Sequence, residues 1–476
     1  MASQIATPGS SIVFNGIDGD TGSYLFPPVG LTELAAGVRK SSVDSAAASL
    51  GKALQEKHLG IADDANPENL PEVGWAVIFH EQEDAAVKAA LASLVEHRRK
   101  VVGDPDLVKE LTYRSGEDRA KFLAKYKVTA GNVKPRRVPY YLLLVGSPEK
   151  IPFSFGFLLD IEYAVGRIHF DTPAEYAKYA QGVIDYETAK KVKNKKNALF
   201  FAPRHDGDAA TQMSHDGLVT PIVKGRAASR DEDAKPPIPK RVGFQATALM
   251  AEDAIRKNLS KELKSGTAPS IFFSASHGMG FKNLDDAKQI PYQGALICQD
   301  FELGAVKRND YLAGEDVDGA DLGGMIAFLF ACYGAGTPTT ARYNYLPDAT
   351  PPKIANADFF ATLPKKMLTA GTLACIGHIE RAWAWSLRGA SSDQIVCFEN
   401  YLTRVMRGSP VGHAIRDFNE RYSILSTDLS HKLDPHNGEA EVDGDVLAKI
   451  WCERNDAESY VVFGDPAVRL RIADMA

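Results

Sequence analysis

The sequence predicts an α/β protein built on a mainly parallel sheet with helices on both faces, and three observations carry that reading. Strand-like and helix-like runs alternate along most of the chain. The strand-like runs are apolar throughout rather than at every second residue, as strands covered on both faces are. The chain has 476 residues, more than one core readily holds, since single cores stop growing near ~250–300 residues.

Residues 1 to 70 are rich in Gly, Ser, Pro and Asp. NGIDGDTGSYLFPP reads as a turn-dense loop or hairpin and LTELAAGVRKSSVDSAAASLGKALQEK as helix, with no chemical signal in either. From Gly74 the texture changes: WAVIFH is strand-like and DAAVKAALASLVEHRRKVV has the apolar spacing of a helix lying on a sheet. VPYYLLLVGSPEKIPF and YAVGRIHF follow as strands, then TPAEYAKYAQGVIDYETAK as a helix with a Thr-Pro start. The cationic linker KKVKNKK precedes the strand NALFFAP and marks a subdomain boundary. The expected division is 1–70, of unknown role, 71–195, a smaller α/β subdomain, and 196–476, a larger one. Beyond the polar stretch GRAASRDEDAKPPIPK come the strand RVGFQATALM, the helix AEDAIRKNLSKELKSG, and the strands SIFFSAS, GALICQDF and GMIAFLFAC.

Bulk properties narrow the function. Lys plus Arg is 55 against 61 Asp plus Glu, a net charge of −6, which argues against a nucleic-acid partner. Nowhere is there a run of ~18 apolar residues, and the start lacks a basic head followed by an apolar core, so a cytoplasmic protein without a membrane partner is expected. Five cysteines without a Cys-x-x-Cys pair point to neither a disulfide framework nor a zinc knuckle. No phosphate loop, Gly-x-Ser-x-Gly elbow or His-Glu-x-x-His helix occurs, and no cofactor is called for. DVDGAD has calcium-like spacing but Ala327 stands where the loop's closing Glu belongs, so it reads as a turn.

Two strand ends carry the chemistry. SIFFSAS runs into His277-Gly278, and MIAFLFA runs into Cys332-Tyr-Gly-Ala-Gly. If the strands are parallel neighbours, imidazole and thiol emerge at one sheet edge, as a cysteine nucleophile requires, because the thiolate is the reactive form and an adjacent base promotes it. Gly278 and the glycines after Cys332 would leave backbone N–H groups for an oxyanion. A buried cysteine and a solvated or structural histidine are the bland alternative. Cys375-Ile-Gly-His378 also ends an apolar strand and is the rival pair. Cys298, Cys397 and Cys452 read as packing positions.

An apolar strand ending His-Gly followed by one ending Ala-Cys-x-x-Gly resembles the catalytic signature of the caspase, gingipain and separase clan of cysteine peptidases. YLLLVGSPEKIP, DIEYAVGRIHFDTPAEYAKYAQGVIDYE and YVVFGDPAVRL are similar to gingipain-type segments, with Ser147 where Asp is usual and His169 where Pro is usual. The likeness runs from roughly Gly74 to Leu470 and extends to bacterial caspase-like proteins of the CHAT type. It implies a caspase-like α/β/α fold preceded by a smaller gingipain-like subdomain. It further implies His277 as general base or acid, Cys332 as nucleophile, the N–H groups of Gly278 and Cys332 as oxyanion hole, and no obligatory third catalytic member. GHIERAW resembles a segment beside the substrate groove in relatives, which makes Trp383 and Trp385 candidate pocket walls. Asp160 and Asp300 are candidates for a carboxylate that would receive a basic residue before the cut bond.

The resemblance implies an endopeptidase working through a thioester, with a protein or peptide substrate. A regulated bacterial effector in defence or cell death, acting on one partner protein, is its expected setting. A silent adaptor that keeps the fold as an interaction module is the alternative, and a zymogen closed by residues 225–240 or 341–358 is a third.

Overall fold

The computed structural model describes residues 11–40, 61, 64–228, 233–302, 304–342, 350–383, 387, 395–434 and 443–476. One ten-stranded sheet runs through the whole molecule. Its strands are β1 (Trp75–His80), β2 (Val108–Tyr113), β3 (Tyr141–Val145), β4 (Ala164–Ile168), β5 (Asn197–Ala202), β6 (Gln245–Met250), β7 (Ile271–Ala275), β8 (Ile326–Phe330), β9 (Ala374–His378) and β10 (Tyr460–Gly464). They lie in the order β2-β1-β3-β4-β10-β9-β8-β7-β5-β6. Neighbours are parallel everywhere except between β9 and β10.

That single antiparallel pair reverses the sheet. The chain's last strand, β10, runs with β4 and its neighbours and against β9, so the carboxyl ends of β1–β4 and of β5–β9 emerge at opposite edges. The expected boundary at 195/196 falls just before β5, yet the sheet crosses it unbroken because β10 joins both halves.

The apolar runs explain the centre. Every residue of β1, β3, β4, β7, β8, β9 and β10 is buried, as strands covered on both faces must be. The edges are more polar: β2, VKELTY, carries exposed residues on one side, and β6, QATALM, is mostly exposed.

Helices α1 (Leu31–Lys40), α2 (Ala85–Val102), α3 (Pro173–Thr188), α4 (Arg256–Leu263), α5 (Ile395–Met406), α6 (Arg416–Leu433) and α7 (Gly444–Glu458) cover the sheet and its ends. The Thr-Pro signal acts as read: Thr172 caps α3 and Glu175 closes the box by returning to the Thr172 N–H. The Gly-Asp-Pro after β10 has a structural reason, because Asp465 accepts from the Trp75 indole at 3.0 Å and from Arg98 Nε at 2.9 Å. A charge this deep is tolerable only when paired. The helix expected across 31–57 is present as Leu31–Lys40, and its remainder lies outside the described residues.

One expected strand differs. Of GALICQDF only Leu296–Ile297 is extended, paired with Tyr311–Leu312 away from the main sheet. The backbone then turns so that the Gln299 N–H donates to Ala254 O and the Asp300 carboxylate accepts from the Arg256 N–H, leaving no run to extend. DVDGAD is held by charge: Asp316 pairs with Arg256 and with Arg308.

Candidate active site

β7 and β8 are adjacent and parallel, with Ile271 opposite Ile326 and Ala275 opposite Phe330. Two residues beyond each strand end, that register sets His277 beside Cys332, on strands about 4.8 Å apart. Gly278 has a steric reason before any catalytic one. A Cβ there would come within 1.8 Å of the Cys332 carbonyl oxygen, so only glycine lets the two strand ends approach this closely.

The turn after the cysteine is strained on both sides. Tyr333 has φ +58° and Glu380 φ +72°, a region costly for side-chain-bearing residues. They are locked together, with the Tyr333 N–H donating to Glu380 O at 2.5 Å. The Glu380 side chain is buried and accepts from Arg381 Nε at 2.9 Å and from the Arg342 N–H at 2.7 Å.

His277 is oriented from both nitrogens. Nε2 stands 2.5 Å from Asp208 Oδ2, and Nδ1 accepts from the Gly16 N–H at 2.9 Å. An accepting Nδ1 requires the proton on Nε2, so Asp208 fixes the tautomer that aims a lone pair into the cleft. Asp208 follows β5, the other neighbour of β7, and its Oδ1 caps the helical turn Ala209–Met213 while accepting from Tyr24 Oη at 2.6 Å. Burial would raise its pKa, but the His277 imidazole and the hydrogen bonds from His277 and Tyr24 hold it well below the usual carboxylate range. The sequence reading found no orienting carboxylate for His277. Asp208 stands in that position, and the signal for it was an N-capping Asp-Ala-Ala just past a parallel strand.

Cys332 is buried and capped. Its Sγ donates to Asn15 O at 2.7 Å, and the Ala382 N–H donates to Sγ at 3.3 Å. Burial pushes the thiol up to about 12, opposed by the Ala382 hydrogen bond and by Arg381. In this closed arrangement the sulfur stays a thiol at neutral pH.

The remaining candidates separate. Trp383 is buried, with its ring edge-on to Phe14 at 4.6 Å and to Trp451 at 5.5 Å. Its neighbour Ala382 donates its N–H to Cys332 Sγ, which places Trp383 one residue from a partner of the thiol. Trp385 lies outside the described residues. Asp160 turns inward to accept from the Val165 N–H at 2.8 Å and to bond Asn419, while Asp300 caps α4 at 2.6 Å. The structure gives neither carboxylate a contact with His277 or Cys332. Both ends of the N-terminal hairpin, read as chemically silent, reach the site: Asn15 and Gly16 touch Cys332 and His277, and Tyr24 touches Asp208.

Residues 70–471 match the model of peptidase family C25. The chain belongs to that family. Membership makes the protein a cysteine-type peptidase, and His277 and Cys332 stand just beyond the ends of two adjacent parallel strands. Among solved structures the chain is similar to the complex of Porphyromonas gingivalis RgpB pro- and mature domains, with 14% identity over 84% of this chain and 80% of that one, at a TM-score of 0.44. It is also similar to a structure described as a protease, with 13% identity over 85% and 79% of the two chains and a TM-score of 0.46. The Saccharomyces cerevisiae separase-securin complex shares 12% identity over 68% of this chain and 16% of that chain, with a TM-score of 0.29. No curated protein sequence matches it significantly. Among the described residues no helix is long and apolar enough to cross a membrane.

Proposed function

We propose that the protein is a regulated endopeptidase in which Cys332 attacks a peptide carbonyl, His277 moves the proton and Asp208 orients His277. Attack forms a thioester and releases the amine, and water then frees the acid. The backbone N–H groups of Gly278 and Cys332 are the oxyanion donors of this reading. The observation that carries it is the parallel register of β7 and β8, which brings His277 level with Cys332. Regulation, and service as an effector on one partner protein, fit a site whose thiol is buried and hydrogen-bonded by the protein's own chain.

A preference for a basic residue before the cut bond draws no support from the charges near the cleft. Asp160 and Asp300 have other partners, and Glu380 already answers to Arg381 and Arg342. An incoming cation would find no unpaired carboxylate among them.

The test is hydrolysis of a peptide library by the wild type, Cys332→Ala and His277→Ala, read by mass spectrometry. Cleavage by the wild type alone is expected. Cleavage that survives Cys332→Ala would sink the assignment, and absence of turnover with tight capture of a protein partner would favour the adaptor.

A further inference from the structure

The N-terminal segment does more than cover the site. Its Asn15–Gly16 peptide lies between the two catalytic groups, with the carbonyl oxygen on Cys332 Sγ at 2.7 Å and the N–H on His277 Nδ1 at 2.9 Å. These are the two halves of a bond that a cysteine nucleophile and its proton donor must reach together. The flanking residues are seated like a bound chain. After the bond, Ile17–Asp18 pairs with Met279–Gly280, the Ile17 N–H donating to Gly278 O and the Gly19 N–H to Gly280 O. Before it, Phe14 is buried against Trp383, with Arg381 over its ring at 5.2 Å.

Two details argue against mere packing. Asn15 is buried with Oδ1 unpartnered, a placement that costs roughly 1–3 kcal/mol and that an apolar residue would avoid. Gly16 has φ +116°, and a Cβ on it would stand 2.9 Å from Leu25 Cδ1 and 3.3 Å from Cys332 Sγ, so only glycine brings the peptide this near the sulfur.

We propose that Phe14–Ile17 occupies the cleft as a substrate does and that the enzyme cuts its own chain between Asn15 and Gly16. Its partner substrates then carry an asparagine–glycine bond after an aromatic residue. This rests on the peptidase reading above and supplies its substrate class. In the resting pose the thiol donates to the Asn15 oxygen. For reaction the Cys332 proton passes to His277 Nδ1 and the carbonyl turns its carbon to the sulfur. A C–S bond forms, the C–N bond breaks, and the proton on Nδ1 goes to the Gly16 nitrogen. Water then cleaves the thioester, leaving a carboxylate on Asn15 and restoring the thiol.

The experiment follows intact mass and the N-terminal sequence of the full chain, wild type beside Cys332→Ala, over time and at several concentrations. Expected is a new N-terminus at Gly16 in the wild type, at a rate independent of concentration, with Cys332→Ala intact. That control also excludes slow spontaneous breakage at Asn-Gly. A peptide with the sequence from Ser11 to Gly19 should be cut at the same bond, and its Asn15→Arg form at least about tenfold more slowly. If the wild type cuts library peptides elsewhere but spares both this bond and the peptide, the inference falls and the peptidase reading stands. If no peptide is cut at all, both fall.

Discussion

Cys332 and His277 come from the ends of neighbouring strands, whereas Cys375 and His378 come from one strand, three residues apart. Side chains alternate along a strand, so residues three apart face opposite sides of the sheet. The rival pair therefore cannot meet. Cys375 is buried within β9 and burial pushes its thiol up. His378 is consumed by Asp456, at 3.1 Å from its carbonyl and 3.2 Å from its carboxylate, under the edge of Tyr460. At His277 and Cys332 the parallel register sets the two strand ends level, and Gly278 permits their backbones to approach closely. A cysteine and a histidine close in sequence are thus weaker evidence than two that a parallel sheet brings level.

The sharpest way to break this comparison is to remove each thiol in turn. Cys332→Ala and His277→Ala are each expected to lower kcat/KM for peptide hydrolysis by at least about 10³-fold. Cys375→Ala should stay within about twofold in rate and cost on the order of 1 kcal/mol of stability through the lost packing. The opposite ranking in a steady-state assay would move the active site to β9.

The next largest effect concerns what each histidine leans on. Asp208→Asn keeps an acceptor for His277 but removes the charge that stabilises an imidazolium, so a fall of about 10²–10⁴-fold in kcat/KM is expected. The same variant has a stability signature. The folded-state pKa of Asp208 is depressed, so its contribution is present above the ordinary carboxylate pKa and is lost as pH falls through and below that range. Thermal melts should show the variant less stable than the wild type at pH 7, with the gap closing below about pH 4. A gap constant with pH would mean that the Asp208 charge does not stabilise the fold.

How much of this was legible follows from range. The apolar strands, the Thr172 cap and the strand-end histidine and cysteine are local patterns, and they appear where the residues imply them. β2 was missed because VKELTY is an edge strand with a polar side. Asp208 was missed because its role depends on β5 lying beside β7, a fact of sheet order rather than of spacing. Asn15 and Gly16 were missed for a stronger reason: they meet residues 261 and 317 positions away along the chain, and Asn-Gly reads locally as a turn.

The smallest effect separates two carboxylates, one that the sequence reading missed and one that it offered for the substrate pocket. Asp208 is half-buried beside an imidazole, while Asp160 is buried with the Val165 N–H and Asn419 as its partners. Desolvation, which those two hydrogen bonds oppose only in part, pushes Asp160 up to about 8. The folded pKa lies above the unfolded one, so its stabilising contribution is fully present below about pH 4 and is lost as pH rises through about 8. Asp160→Asn still offers an oxygen to the Val165 N–H and has no charge to bury. Melting temperature should therefore fall more steeply for the wild type than for the variant between pH 5 and pH 9, with kcat/KM little changed. Parallel curves would mean that Asp160 is already ionised in the folded protein, and a large loss of cleavage after basic residues would restore it to the substrate pocket.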